Sequence, residues 1–156
     1  MALVRILVDG YSLLHNWQEL ARGKPRYSAA ARAELVRQLT RYHDASGTPL
    51  SVFFDGASGL ASAEEPPSNP DVEILYSQQG QTADQMIERA ASRLLEYGEV
   101  LVVTDDFAER DTVSSAGALV SSCANFIAAV VGAEVEMRRQ LKRHNRAEDE
   151  GFGRSK

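Results

Sequence analysis

Residues 3–12, LVRILVDGYS, decide how this chain is read. Leu3 to Val8 is an apolar run interrupted by Arg5 and stopped by the turn signal Asp9-Gly10, the pattern of a buried strand that ends on a carboxylate. The same ending recurs downstream. SVFFDG closes a second strand, Leu50 to Phe54, on Asp55-Gly56, and LVVTDDF closes a fourth, Val100 to Val103, on Thr104 and the pair Asp105-Asp106. Val72 to Tyr76 reads as a shorter third strand.

Helical patterns fill the intervals. A short helix is expected over Leu13 to Ala21, and Ser28 caps a long amphipathic helix with Ala31, Leu35, Leu39 and Tyr42 on its apolar side, ended by Gly47 and Pro49. Residues 57–71 read as an exposed loop. Thr82 caps a helix running to Gly98, with Asp84 in its first turn. Gly117 to Val131 reads as a helix that is apolar around most of its circumference and therefore well buried. From Glu134 the chain becomes strongly charged; Val135, Met137 and Leu141 are the expected anchors of a solvent-facing helix, and the last residues are expected to fray. Strands alternating with helices predict a three-layer α/β fold with a mostly parallel sheet.

In such a sheet ligands bind at the carboxyl ends of the strands. Asp9, Asp55 and Asp105-Asp106 end strands at that edge, and the loop before Asp84 returns to it. Each acid alone has an ordinary explanation as a turn residue or a helix cap. Together, without a cation, they would repel one another and raise each other's pKa, which favours a site for a hard divalent ion such as Mg²⁺ or Mn²⁺.

The bulk properties narrow the classes. At 156 residues, 44% hydrophobic and 25% charged, the chain has the composition of a single globular domain rather than of a disordered or fibrous protein. The N-terminal apolar run is too short for a membrane span or signal core, so a cytoplasmic protein is expected. Seventeen basic against twenty-two acidic side chains give a net charge of −5, which argues against general affinity for polyanions. The lone Cys123 reads as a packed structural thiol.

ILVDGYSLL, FFDG, GQTADQMIER, LVVTDDF and GALVSS, in that order from about Val4 to Val131, together resemble the YacP-like branch of the NYN-domain proteins in the PIN-like ribonuclease superfamily. The resemblance implies a PIN-like (NYN) domain over residues 1–133, followed by a charged helix and tail over 134–156. It also implies metal-dependent endonuclease activity on single-stranded RNA. Some relatives act on ribosome-associated mRNA, which adds the ribosome as a candidate partner. Asp9 matches the family's first-strand Asp, Asp84 the Asp of its TAD element, and Asp106 the Asp after its fourth strand; these three are the implied catalytic and metal-holding residues. Asp105 stands where a Ser is usual and remains a candidate ligand beside Asp106. Ser12, Asp55 and Thr104 are assigned to the surroundings of those acids. Ser12 replaces an Asn that orients the first carboxylate, and Gln81 stands where Glu is common.

Arg22, Lys24 and Arg26 in the loop after the first strand, Arg89 and Arg93 on one helix face, and Arg110 after the acidic pair are the candidate RNA-binding cations, with the basic run from Arg138 to Arg146 as a second surface. His15 is held in reserve as a base, and Trp17 reads as a packing residue. Two other classes compete. A phosphoacceptor domain is disfavoured because the long helix from Arg32 to Asp44 makes Asp55 end the second strand rather than the third, and no paired acids stand at strand one. A noncatalytic RNA- or ribosome-binding module with the same fold is the stronger rival.

Overall fold

The structure is a computed structural model that describes residues 3–56 and 70–154, with side chains in the last helix as far as Ala147. The loop expected over 57–71 therefore lies, except for its last two residues, outside the described set. Five parallel strands, β1 (Leu3–Asp9), β2 (Leu50–Phe54), β3 (Val72–Tyr76), β4 (Glu99–Val103) and β5 (Leu119–Ser121), form one sheet in the order β3-β2-β1-β4-β5. Successive side chains alternate between two cores. Ile6, Val8, Val52 and Phe54 face one core, packed under α1 (Gly10–Asn16), α2 (Ala29–Ser46) and α5 (Cys123–Arg154). Leu7, Phe53, Val100 and Val102 face the other, under α3 (Ala83–Leu94) and α4 (Phe107–Ser115).

The strand order reverses direction at β1, which pairs with β2 on one side and β4 on the other. The connections from β1 and from β4 thus leave on opposite faces and open a crevice at the carboxyl ends of these two strands, the usual ligand position in an open α/β sheet. Asp9 ends β1 there, and Thr104 follows β4.

Several local expectations need correction. The first helix starts at Gly10 rather than Leu13 and stops at Asn16; a separate 3-10 turn, Gln18–Leu20, follows it. Asp9 causes the early start, because its side chain accepts from the Ser12 N–H and caps the helix directly off the strand. The segment expected as a helix from Gly117 contains β5, and α5 begins at Cys123. α5 is buried along one stripe, Cys123, Phe126 and Val130, while Ala124, Ala128 and Ala129 face water. Val135 and Leu141 do not anchor its outer half; they are 42% and 56% exposed as the helix runs unbroken to Arg154. No helix among the described residues is long and apolar enough to cross a membrane.

Gly10 is required by space rather than by backbone angle. A Cβ there would stand 2.5 Å from the Phe54 ring, and that ring is itself held by Tyr76, stacked at 5.6 Å, and by Tyr11, edge-on at 5.5 Å. Gly10→Ala should accordingly destabilise the fold by about 1–3 kcal/mol, the range for overpacking a filled core. Denaturant unfolding measures it, and an unchanged midpoint would mean that Phe54 yields freely.

Candidate active site

Asp9 is almost buried and tightly oriented. Its Oδ2 accepts from the Ser12 hydroxyl at 2.8 Å and the Thr104 hydroxyl at 3.1 Å, and its Oδ1 accepts weakly from the Ser12 N–H at 3.4 Å. Ser12 thus supplies an orienting donor from the position where the resembling family has an amide. Thr104, fully buried, also receives the Asp106 N–H at 3.2 Å, so a single hydroxyl joins the ends of β1 and β4. Asp106 caps α4: its Oδ1 accepts from the backbone N–H groups of Ala108 and Glu109.

Asp84 occupies the first turn of α3, behind a capping box made by Thr82 and Gln85. Its carboxyl is pushed up from 3.8 to about 6, first by burial and then by the charges of Asp9, Asp106, Glu88 and Asp55. Acids from four segments therefore act on one another across the crevice. Asp55 sits at its margin, where Oδ1 accepts from the Ser77 hydroxyl at 3.1 Å.

Asp105 is placed differently from its neighbour. Its Oδ1 accepts from the Cys123 N–H at 2.9 Å and its Oδ2 from the Asn16 side-chain amide at 2.7 Å. Both oxygens are used to brace the ends of α1 and α5. Cys123, fully buried, has its thiol pushed up to about 12 by burial and by the nearby charges of Asp105 and Asp9, in keeping with an inert structural thiol.

Two acids of this crevice were absent from the sequence reading. Glu109, in the first turn of α4, is 3% exposed, and its Oε1 is buried with no hydrogen-bond partner. Its carboxyl is pushed from 4.5 up to about 8 by burial, by a carboxyl–carboxyl hydrogen bond to Glu88, and by the charges of Asp84, Glu88 and Asp106. The usable signal was helical spacing. Glu88 lies four residues after Asp84 and Glu109 three after Asp106, so each shares a helix face with an acid already singled out.

Among the described residues, no three His, Cys, Asp or Glu side chains already converge closely enough to hold an ion directly. The donor chemistry nevertheless fits a hard cation that keeps much of its water: every group is a carboxylate oxygen, one buried oxygen is orphaned, and the carboxyls of Asp84 and Glu109 are pushed up by burial and then by the negative charges around them.

The expected RNA-binding cations fall in three places. Arg22, Lys24 and Arg26 lie on the loop after the 3-10 turn, where Arg26 and Tyr27 both approach Nδ1 of His15, at 2.9 and 3.3 Å. Arg89 and Arg93 line an open cavity of about 670 Å³ between α3 and the β2–β3 side of the sheet. Arg110 lies over the Phe107 ring in a cation-π placement, its Cζ 5.6 Å from the centroid. Among the described residues no hydrogen bond or ion pair joins any of these cations to Asp9, Asp84 or Asp106. Trp17 is buried in the core.

Comparison with known proteins agrees with the fold. The YacP-like NYN domain family matches residues 6–154. The chain belongs to that family. A Bacillus subtilis (strain 168) protein described as the uncharacterized protein YacP is 28% identical over 139 residues, covering 88% of this chain and 81% of that one. The crystal structure of Rae1 (YacP) from Bacillus subtilis superposes with a TM-score of 0.77 at 26% identity, over 97% of this chain and 86% of that one. A mutant of it gives 0.75 at 25% identity, over 92% and 84%. The five-stranded parallel sheet flanked by helices is thus the fold of the family, and the domain is nuclease-like.

A buried acid with a raised folded pKa binds its proton more tightly folded than unfolded. The stability this gives is complete below the unfolded pKa and is lost as pH rises through the folded one. Freed of divalent ions, the protein should lose stability between about pH 4 and 6 through Asp84 and between about 4.5 and 8 through Glu109. Glu109→Gln should flatten the upper part of that decline. Denaturant titrations in EDTA across this range provide the check, and an equal slope in the variant would show Glu109 to be ionised in the fold.

Proposed function

We propose that this YacP-like NYN protein is a divalent-metal-dependent endoribonuclease acting on single-stranded RNA, with ribosome-associated mRNA as one form of that substrate. The observation that supports it most is the uncompensated charge at the β1–β4 crevice. Asp9, Asp84 and Asp106, the three acids that match the family pattern, share one field, and no ion pair among the described residues offsets it. A purely structural cluster would gain by exchanging one acid for a neutral residue.

Asp9, Asp84 and Asp106 would hold Mg²⁺ or Mn²⁺, partly through water. When bound, such an ion supplies a Lewis acid for the scissile phosphate and lowers the pKa of water. The chain's own part is orientation. The hydroxyls of Ser12 and Thr104 fix Asp9, and Asp106 is fixed by the first turn of α4. The N-termini of α3 and α4 carry partial positive charge toward the incoming phosphate. Water attacks phosphorus in line as the bond to the 3′ oxygen breaks, leaving a 5′-phosphate and a 3′-hydroxyl.

Asp106→Asn and Asp105→Asn separate the roles of neighbouring acids. Asn is as good a helix cap as Asp, so Asp106→Asn should melt near wild type yet lose divalent-dependent cleavage by at least about a hundredfold, as should Asp9→Asn. Asp105→Asn should instead cost about 1–2 kcal/mol of stability, because its new NH2 group must face one of the two donors, the Cys123 N–H or the Asn16 amide, and keep most of the cleavage. The assay is cleavage of labelled single-stranded RNA in Mg²⁺, Mn²⁺ or EDTA. Binding without cleavage in every condition would assign the chain to the noncatalytic class; wild-type rates in Asp9→Asn and Asp106→Asn would remove these acids from the site.

A further inference from the structure

Among the described residues two aromatic rings stand largely in water, Tyr97 at 76% and Phe107 at 75% exposure. Tyr97 precedes β4, at the sheet edge away from the acids, and carries a hydroxyl suited to water. Phe107 has no such group. It is the first residue of α4, directly after Asp106. Helix formation does not call for it, since Phe is a poorer helix former than Ala, and core packing does not use it, since α4 buries Glu109 and Val113 instead. Among the described residues its ring partner is Arg110, three residues on, whose Cζ lies over the ring 5.6 Å from the centroid. Arg110 follows the acidic pair within the first turn of α4, and its N–H bonds to the Asp106 carbonyl, so ring and cation stand on the turn that Asp106 caps.

A guanidinium stacked on an aromatic ring offers two flat surfaces and one charge, the combination that holds an unpaired base and the phosphate next to it. A duplex could not use it, because its bases are already stacked. We propose that Phe107 and Arg110 form a stacking platform for one unpaired RNA base next to the scissile phosphate, so that preference for single-stranded RNA is set at the start of α4 rather than by the carboxylates. This inference rests on the ribonuclease reading above.

The probe is a short, unstructured, fluorescein-labelled RNA whose cleavage position is mapped with the wild-type protein in Mn²⁺. Phe107→Ala should raise Kd, measured in EDTA, and KM by about five- to a hundredfold, the range of a lost base–aromatic stack, with kcat changed less than about threefold. Phe107→Trp should restore binding. Arg110→Lys should not, since an ammonium keeps the charge and loses the plane. Removing the base beside the cleaved bond should weaken binding to wild type as much as Phe107→Ala does, and should cost the variant nothing further. Losses that multiply when the abasic RNA and the variant are combined would overturn the platform, as would unchanged binding by Phe107→Ala. Loss of binding in Arg89→Ala with Arg93→Ala, but not in Phe107→Ala, would place the strand in the α3 cavity instead. A wild-type dimer that Phe107→Ala splits, with RNA binding unaffected, would assign the ring to self-association. If wild type cleaves no RNA, strands each abasic at one successive position take the place of the mapped one: a position whose loss is non-additive with Phe107→Ala leaves the stacking platform standing while the nuclease reading falls, and no such position overturns both.

Discussion

Repulsion among the carboxylates at the β1–β4 crevice is the constraint around which the rest of this structure is arranged. Burying Asp84 and Glu109 and bringing Asp9, Asp106 and Glu88 near them costs free energy, and both carboxyls are pushed up by burial first and by the neighbouring charges second. The scaffold tolerates that cost because its rigid parts converge there: two strands paired in parallel, the N-terminal turns of α3 and α4, and one buried threonine whose hydroxyl serves both strand ends. The glycine at position 10 lets α1 start against Phe54 at the same edge. Each of these features fixes direction as well as proximity, which an ion that keeps much of its water would require of its ligands.

The serine at position 12 divides a task that an amide there would perform alone. Its hydroxyl and N–H both reach Asp9. A carboxamide for the second acid of the edge comes from one turn later in α1, where the Asn16 amide donates to Asp105 and also to the Ser12 carbonyl. Asp105 is left to join α1 to α5. Adjacent acids of one dipeptide thereby take different work, one bracing helices with both oxygens and the other capping α4 with a single oxygen.

β1, β2 and β4 were legible because each is a mainly apolar run closed within two residues by an acid, and β3 was legible from its short run VEILY; β2 and β3 agree with the sequence reading residue for residue and β1 and β4 gain one residue each. β5 was not. Three residues, with Leu119 half-exposed at a sheet edge, carry no alternation distinguishable from the helix that follows. The burial of α5 was overestimated for a related reason: alanines count as apolar in a periodicity yet face water at little cost. Asp9, Asp84 and Asp106 could be named from strand ends and motif order, whereas Glu88 and Glu109 stand inside helices, at no strand end and at no position to which the family pattern assigns a role. Their contact depends on how α3 packs beside α4, which no local pattern encodes.

A net charge of −5 and an acidic crevice pose a problem for any protein that must approach a polyanion. Lysines and arginines inside the crevice would ease it, but they would also pair with the acids and weaken their hold on a divalent ion. Among the described residues the candidate cations are unpaired with these acids: they stand on the loop from Arg22 to Arg26, along α3 at Arg89 and Arg93, and over the Phe107 ring at Arg110. Of these, a guanidinium lying on an aromatic ring is the least free to swing onto a neighbouring carboxylate. Flat apolar surface attracts a base without neutralising acids, so stacking and metal binding can occupy adjoining positions where a cluster of bare cations and a metal site could not.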